Sequence, residues 1–291
     1  MIVLLNGQLR KREEAVISVF DHGFLYGMGL FETFRTYRGR PWLLERHAER
    51  LDAGCRILGI EYAPDPERMR ADIARLLDAN GLRDAYIRWS VSAGEGEIGL
   101  TAEPYRHPVE VVYAKALPPD DPDTRPAKTL RLLGLARSTP EGAVRMKSFH
   151  YMNNMLGKRE LARTGAPPGT EGLFLDRNGH LCEGLTSNVF WVTGAALYTP
   201  SPDTGALPGV TRRFVMDMAR ASGLDVREGR FVRDDLLRAE EVFITNAVQE
   251  IVPVTAVEDA AGTAVWTGEP GRFTRQWMKA YRRMAEEGVE R

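Results

Sequence analysis

The sequence predicts an α/β (α+β) protein of two domains, and three observations carry that prediction. The chain has 291 residues, 43% hydrophobic and 27% charged, a globular composition at a length that suits two domains of ordinary size. Short strand-like runs alternate with stretches of helical apolar spacing along its whole length. A proline-rich, acidic stretch, Leu117-Pro118-Pro119-Asp120-Asp121-Pro122-Asp123-Thr124-Arg125-Pro126, interrupts both patterns and reads as a stiff, exposed crossover. The boundaries that follow are 1–116 for a first domain, 117–126 for the linker and 127–291 for a second domain.

Taken in order, Val3 to Leu5, the turn Asn6-Gly7 and a return through Val16-Ile17 read as strands about a tight turn. Arg10-Lys11-Arg12 is followed by Glu13-Glu14, so a solvated strand end accounts for it. Leu30 to Tyr37 and Pro41 to Leu44 suggest a second hairpin. Leu44, His47, Leu51, Cys55 and Leu58 fall at helical spacing within an amphipathic helix from Leu43 to Leu58. Asp65-Pro66 opens another helix, with Asp as N-cap and Pro in the first turn, running to Asn80-Gly81. Ala85 to Ser92 and Val109 to Ala114 are strand-like. Beyond the linker come a strand at Leu130 to Ala136, a helix from Tyr151 to Arg163 and a hairpin about Asp176-Arg177-Asn178-Gly179. Strands follow at Ser187 to Val192, Glu241 to Thr245 and Ile251 to Val257, with helices at Thr211 to Ser222 and Arg272 to Glu286. The sequence shows no internal repeat.

Thirty-nine basic against forty acidic residues leave a formal charge of −1, which lacks the basic excess of a nucleic-acid binder. Two distant cysteines, Cys55 and Cys182, point to a reducing compartment. The start is too short and uncharged for a signal peptide, and no segment has the apolar length of a membrane span. A cytoplasmic protein is expected. The five histidines show no metal-ligand spacing, and there is neither a phosphate loop nor a serine-nucleophile elbow. The glycines of Gly23-Phe24-Leu25-Tyr26-Gly27-Met28-Gly29 lack dinucleotide spacing and read as a tight turn packed beneath a strand.

Three segments remain. Lys147 lies between a strand-like stretch and a helix in Arg145-Met146-Lys147-Ser148-Phe149-His150-Tyr151. Glu183 follows a hairpin and precedes an apolar strand in Cys182-Glu183-Gly184-Leu185-Thr186-Ser187-Asn188-Val189-Phe190. Leu207-Pro208-Gly209-Val210-Thr211-Arg212 feeds a glycine turn into a helix, whose free N-terminal amides make a phosphate site. Each has an ordinary reading when taken singly: a surface lysine, a strand-edge charge, a capped helix.

Together with Leu44-Glu45-Arg46-His47-x-x-Arg50-Leu51 and Phe243-x-Thr245-Asn246, these segments resemble the class IV aminotransferases in order and spacing from Asn6 to about Val254. That group includes branched-chain aminotransferase, D-amino-acid transaminase and aminodeoxychorismate lyase. The resemblance implies fold-type IV: a smaller N-terminal α/β domain, a larger β-barrel-like C-terminal domain with helices, and pyridoxal 5'-phosphate in the cleft between them. It also implies a homodimer, because family members complete the pocket with a neighbouring subunit's loop. Lys147 would be the amine that holds the cofactor's aldehyde and then serves as base. Glu183 would keep the pyridine nitrogen protonated. Arg50, the Val210 and Thr211 amides after Gly209, the Thr211 hydroxyl and Thr245 would hold the phosphate, with Ser187, Asn188 and Asn246 completing the cofactor site. Tyr151 would donate to the phenolic oxygen. Two departures from the family pattern stand out: Leu185, where a small residue is usual, and Phe149-His150, where Leu-Asn is common.

The group runs several reactions on one scaffold. The segment Phe243 to Val254 is similar to that of the lyases, Thr33 in Phe31-Glu32-Thr33-Phe34 falls where lyases often place a threonine near the substrate, and Val91-Ser92-Ala93-Gly94 lacks the arginine of D-amino-acid transaminases. These features favour a lyase acting on a small amino substrate, 4-amino-4-deoxychorismate, to give 4-aminobenzoate and pyruvate. Thr33 would join Lys147 as catalytic, and Tyr26, Phe31 and Arg88 would contact the substrate, Arg88 as partner of a carboxylate. Transamination of branched-chain or other amino acids or of amines, with the same lysine and glutamate, is the alternative.

Overall fold

The computed structural model describes residues 1–289 as two compact units. The first comprises Met1–Pro119, the short piece Met146–His150 and, of the described residues, 284–289. The second comprises Asp120–Arg145 and Tyr151–Arg283.

In the first unit β1 (Ile2–Leu5), β2 (Gln8–Lys11), α1 (His22–Tyr26), β3 (Gly29–Tyr37), β4 (Arg40–Pro41), α2 (Leu44–Leu58), α3 (Pro66–Ala79), β5 (Ala85–Ser92) and β6 (Val109–Ala116) follow one another. The strands form one sheet in the order β2-β1-β6-β5-β3-β4, with every pairing antiparallel. Asn6 and Gly7, both at positive φ, make the two-residue turn between β1 and β2. The return strand is therefore Gln8–Lys11, and the expected return through Val16-Ile17 is corrected. The reason is that β2 is an exposed edge, specified by its turn and carrying no apolar alternation. Leu44, His47, Leu51 and Cys55 of α2 are buried, as their spacing requires, and the His47 ring lies 5.0 Å from that of Phe34. Alternation along β3 then puts Glu32, Phe34 and Thr36 toward α2, and Phe31 and Thr33 on the opposite face. Asp65 caps α3 by accepting from the Glu67 amide at 3.0 Å.

The second unit contains β7 (Lys128–Leu132), α4 (Met152–Arg163), β8 (Glu171–Leu175), β9 (Leu181–Gly184), β10 (Asn188–Thr193) and β11 (Ala196–Pro200). It continues with α5 (Val210–Ala221), β12 (Asp225–Gly229), α6 (Arg233–Leu236), β13 (Glu241–Asn246), β14 (Glu250–Glu258), β15 (Ala264–Thr267) and α7 (Arg272–Glu287), whose residues from Met284 on are counted with the first unit. Its sheet runs β12-β11-β10-β13-β14-β7-β8-β9, with β15 added on β14; β11–β12, β14–β7 and β7–β8 are parallel. The strand expected over Leu130 to Ala136 ends at Leu132, but the chain beyond stays tied to β8 through the Leu133 amide on the Leu173 carbonyl (2.9 Å) and the Arg137 amide on that of Leu175 (2.8 Å). The short strands β11, β12 and β15 carry too little pattern to be read from sequence.

The proline-rich crossover is exposed at Pro118, Pro119, Asp121, Asp123, Thr124 and Pro126, as its composition implies, while the Arg125 side chain is buried in ion pairs with Asp120 and Glu250. Leu185 is buried with Leu133, Leu161, Phe174, Cys182 and Ala206. Gly157 makes room for it, as a Cβ there would lie 2.7 Å from a Leu185 methyl. Among the described residues, no helix is long and apolar enough to cross a membrane.

Candidate active site

In the first unit, the Phe31 amide donates to the Lys147 carbonyl and the Phe149 amide to the Gly29 carbonyl, both at 2.9 Å, and Leu30 bridges Ser148. This stitching fixes the backbone of Lys147 against β3 and sets its ammonium 4.7 Å from the centre of the Phe31 ring. Register pairs Phe31 with Ser90 and Thr33 with Arg88, so all four share one face. The Arg88 guanidinium lies 3.6 Å from the Phe31 ring centre and donates to the Ser90 hydroxyl at 3.2 Å. Lys147, Phe31, Thr33 and Arg88 are therefore brought together. The glycine-rich turn makes room for the unusual Phe149-His150 pair: a Cβ on Gly29 would overlap the Phe149 ring, and one on Gly27 that of His150. The Tyr26 hydroxyl accepts from the Gly99 amide at 2.8 Å, which ties that residue to the loop after β5.

Behind β3 lies an arrangement that the sequence reading missed. Glu32 is almost wholly buried and accepts from His47 Nδ1 (2.6 Å), Arg50 Nε (2.8 Å) and Arg50 Nη2 (2.6 Å). Arg50 is thus oriented by a bidentate carboxylate on β3. Burial alone would favour the neutral acid, but the Arg50 charge and the hydrogen bonds from Arg50 and His47 outweigh it and hold the Glu32 carboxyl at about 2. Burial pushes His47 the other way, below its usual range, against the pull of Glu32. A carboxyl depressed from 4.5 to about 2 stabilises the fold fully above pH 4.5 and loses that contribution as the pH falls toward 2. The contribution is on the order of 3 kcal/mol. Acid unfolding of Glu32→Gln, followed by circular dichroism, should show a flatter loss of stability below pH 4.5 than the parent. An unchanged profile would remove this account. The missed signal was parity, because Glu32 shares a strand face with Phe34 and Thr36.

In the second unit, α5 begins at Gly209 without a side-chain cap. Its first amides, Val210 and Thr211, point out of the helix by geometry. Thr211 Oγ1 and Thr245 Oγ1 are buried and have no hydrogen-bond partner. Asn188 joins the two: it pairs with Thr245 across β10–β13, its Nδ2 donates to the Leu207 carbonyl at 2.9 Å, and its Oδ1 fills the space that a Cβ on Gly209 would need. Buried hydroxyls without partners are costly. Two of them with an uncapped helix start suit a bound anion, so the residues fit the phosphate that the sequence implies. Ser187 is spent otherwise, its hydroxyl donating to Glu171 at 3.0 Å, and Asn246 Oδ1 accepts the Val248 and Gln249 amides of its own turn. Tyr151 is the N-cap of α4.

Glu183 is buried with Oε1 on Arg137 Nε (2.8 Å) and Oε2 on the Leu207 amide (2.9 Å), and Arg145 Nε stands 3.8 Å away. Arg137 also donates to Asn153 (2.7 Å) and Asn154 (3.1 Å), and Asn154 holds the Leu185 carbonyl at 2.6 Å. Burial together with the neighbouring Glu183 pushes the adjacent Cys182 thiol up to about 12, so the glutamate's flank is uncharged there. Neither Arg137 nor Arg145 stood out by spacing. What would have found them is the cost of burying an unpaired carboxylate at Glu183.

Residues 29–257 match the amino-transferase class IV family, so the chain belongs to that family and with it to the pyridoxal-phosphate enzymes. It is 43% identical over 260 residues to aminodeoxychorismate lyase of Bacillus subtilis (strain 168), covering 89% of this chain and 87% of that one. Among solved structures it is similar to 4-amino-4-deoxychorismate lyase from Pseudomonas aeruginosa, with TM-score 0.82 and 27% identity over 98% of this chain and 99% of that one. It is similar as well to the branched-chain amino acid aminotransferase of Escherichia coli, with TM-score 0.85 and 26% identity over 99% and 95% of the two chains.

Proposed function

We propose that this chain is a pyridoxal-phosphate-dependent lyase that converts 4-amino-4-deoxychorismate to 4-aminobenzoate and pyruvate, a step of folate biosynthesis. The observation that carries this reading is the 43% identity to the Bacillus subtilis lyase over most of both chains. Thr33, on the face that holds Lys147, supports it. When bound, the cofactor supplies an electron sink. Glu183, fixed by Arg137 and the Leu207 amide, is the anion for its ring nitrogen. Thr211, Thr245 and the first amides of α5 are its phosphate donors, with Arg50 as the guanidinium and Tyr151 for its phenolic oxygen. Lys147 would hold it covalently and, once its amine is released by exchange with the substrate's amine, would take the proton from the substrate's ring carbon that bears nitrogen. Loss of that proton with expulsion of the enolpyruvyl group leaves an aromatic ring, and the released enol becomes pyruvate. Arg88, stacked on Phe31, is the cation for a substrate carboxylate, and Tyr26 is kept as a further substrate contact on the family resemblance alone.

The test mixes cofactor-loaded protein with aminodeoxychorismate and no keto acid. Sustained equimolar release of 4-aminobenzoate and pyruvate is expected over many turnovers. No product, with the cofactor converted to its amine form by leucine, glutamate or an amine, would make the chain a transaminase instead.

We also propose a homodimer. It is supported by exposed Val19, Phe20 and Phe24 before and within α1 and by exposed Ile98, in segments joined through Gly96 N–H on the Phe20 carbonyl (3.2 Å). A monomer in sedimentation at working concentration would sink it. Cytoplasmic location is supported by the two free, buried cysteines and is checked by fractionation.

A further inference from the structure

The hairpin that joins β13 to β14 ends on an unusual residue. Glu250 has φ +64°, the left-handed region that disfavours any residue with a side chain, and it is completely buried. Both its oxygens are taken by arginines from distant parts of the chain: Oε1 accepts from Arg282 Nε of α7 at 2.7 Å, and Oε2 from Arg125 Nη2 of the crossover at 2.8 Å. Asp120 lies against both guanidiniums, so two cations and two anions close a neutral cluster. Arg125 Nη1 also donates to the Ile251 carbonyl at 2.6 Å. The strand register makes this cluster consequential, because Ile251 pairs with Thr245 and Glu250 with Asn246. The two residues gripped by the arginines are therefore the two that face Thr245 and Asn246 across the hairpin.

Within the turn, Asn246 Oδ1 accepts the Val248 and Gln249 amides, and Gln249 is held by Lys128 at 3.0 Å. Strain of this kind persists where the surroundings over-determine it, and it gathers at sites that must be pre-organised. Glycine would suit the backbone at position 250 better, but glycine has no carboxylate for the arginines. We propose that Glu250 is a positioning residue: by locking the turn from Asn246 to Gln249, it holds the buried Thr245 hydroxyl in place for the cofactor's phosphate. This rests on the assignment of Thr245 to that phosphate. Glu250 itself acts only through the hairpin.

The test uses the full-length apo-protein and compares binding of pyridoxal phosphate with that of pyridoxal, which lacks the phosphate, by fluorescence quenching. Glu250→Gln keeps the shape and removes the charge, while Glu250→Gly relieves the backbone and removes the clamp. Each variant should lose about tenfold or more in affinity for pyridoxal phosphate, the scale on which outer-shell supports act, with affinity for pyridoxal unchanged. The phosphorus resonance of the bound cofactor should broaden in both. A merely structural role would weaken the two ligands alike, and that result would overturn the proposal. So would an undiminished preference for the phosphorylated ligand in both variants. If the parent protein itself shows no such preference, the phosphate assignment fails, and this inference falls with it.

Discussion

Replacing Lys147 with alanine should abolish turnover, by about 10⁴-fold or more, given that a positioned proton-transfer group alone contributes roughly 10²–10⁴ and that on the proposed assignment this one also holds the cofactor covalently. The absorption of the lysine-bound cofactor should vanish as well. The fold should survive, because Lys147 is anchored by its backbone: its carbonyl accepts the Phe31 amide, and the bond from Phe149 to Gly29 follows two residues on. Among what the substitution removes is a cation over the Phe31 ring, worth about 0.5–2 kcal/mol. Cofactor should therefore still associate through its phosphate, reversibly and without the lysine-bound spectrum. Turnover retained in Lys147→Ala, measured as 4-aminobenzoate release, would remove the central assignment.

The second large effect is expected at Glu183, where Glu183→Gln should lower both stability and activity, for separable reasons. The carboxylate is buried against Arg137, with Arg145 close by. Removing its charge leaves those cations uncompensated in a poorly solvated place, a loss of about 3–5 kcal/mol. For a chain of this size the melting temperature should fall on the order of 10 °C. Activity should fall independently, because a neutral amide does not favour a protonated ring nitrogen. The double variant Glu183→Gln/Arg137→Gln separates the two, since removing the orphaned cation should recover much of the stability but none of the turnover. Recovery of turnover in the double variant would mean that Glu183 only balances Arg137, and the cofactor role would be withdrawn.

The interior of the site departs from its sequence reading in an orderly way. Lys147, Thr33, Phe31 and Arg88 were each named from sequence, and the structure places them on one sheet face, because strand alternation and antiparallel register are periodic and therefore legible. Thr211 and Thr245 were named as well; Thr211 opens α5, Thr245 lies near the end of β13, and the buried hydroxyls of both lack a partner. Ser187 and Asn246 were named with them, but they bond to Glu171 and to a turn, since a hydroxyl or amide in a motif takes whichever partner the fold brings nearest.

Local sequence sets the alternation of strands and helices, the cap at Asp65 and the glycine turn that opens α5. All of these are set by residues close together in the chain. Only the tertiary structure decided that Glu32 orients Arg50 from behind β3, that Arg137 and Arg145 flank Glu183, that Gly157 admits Leu185, and that Arg125 and Arg282 converge on Glu250. Each of these joins residues from 18 positions apart, as in Arg50 with Glu32, to 125, as in Arg125 with Glu250. A buried charge must find its counter-charge wherever the fold brings one, and that demand leaves no period in the sequence.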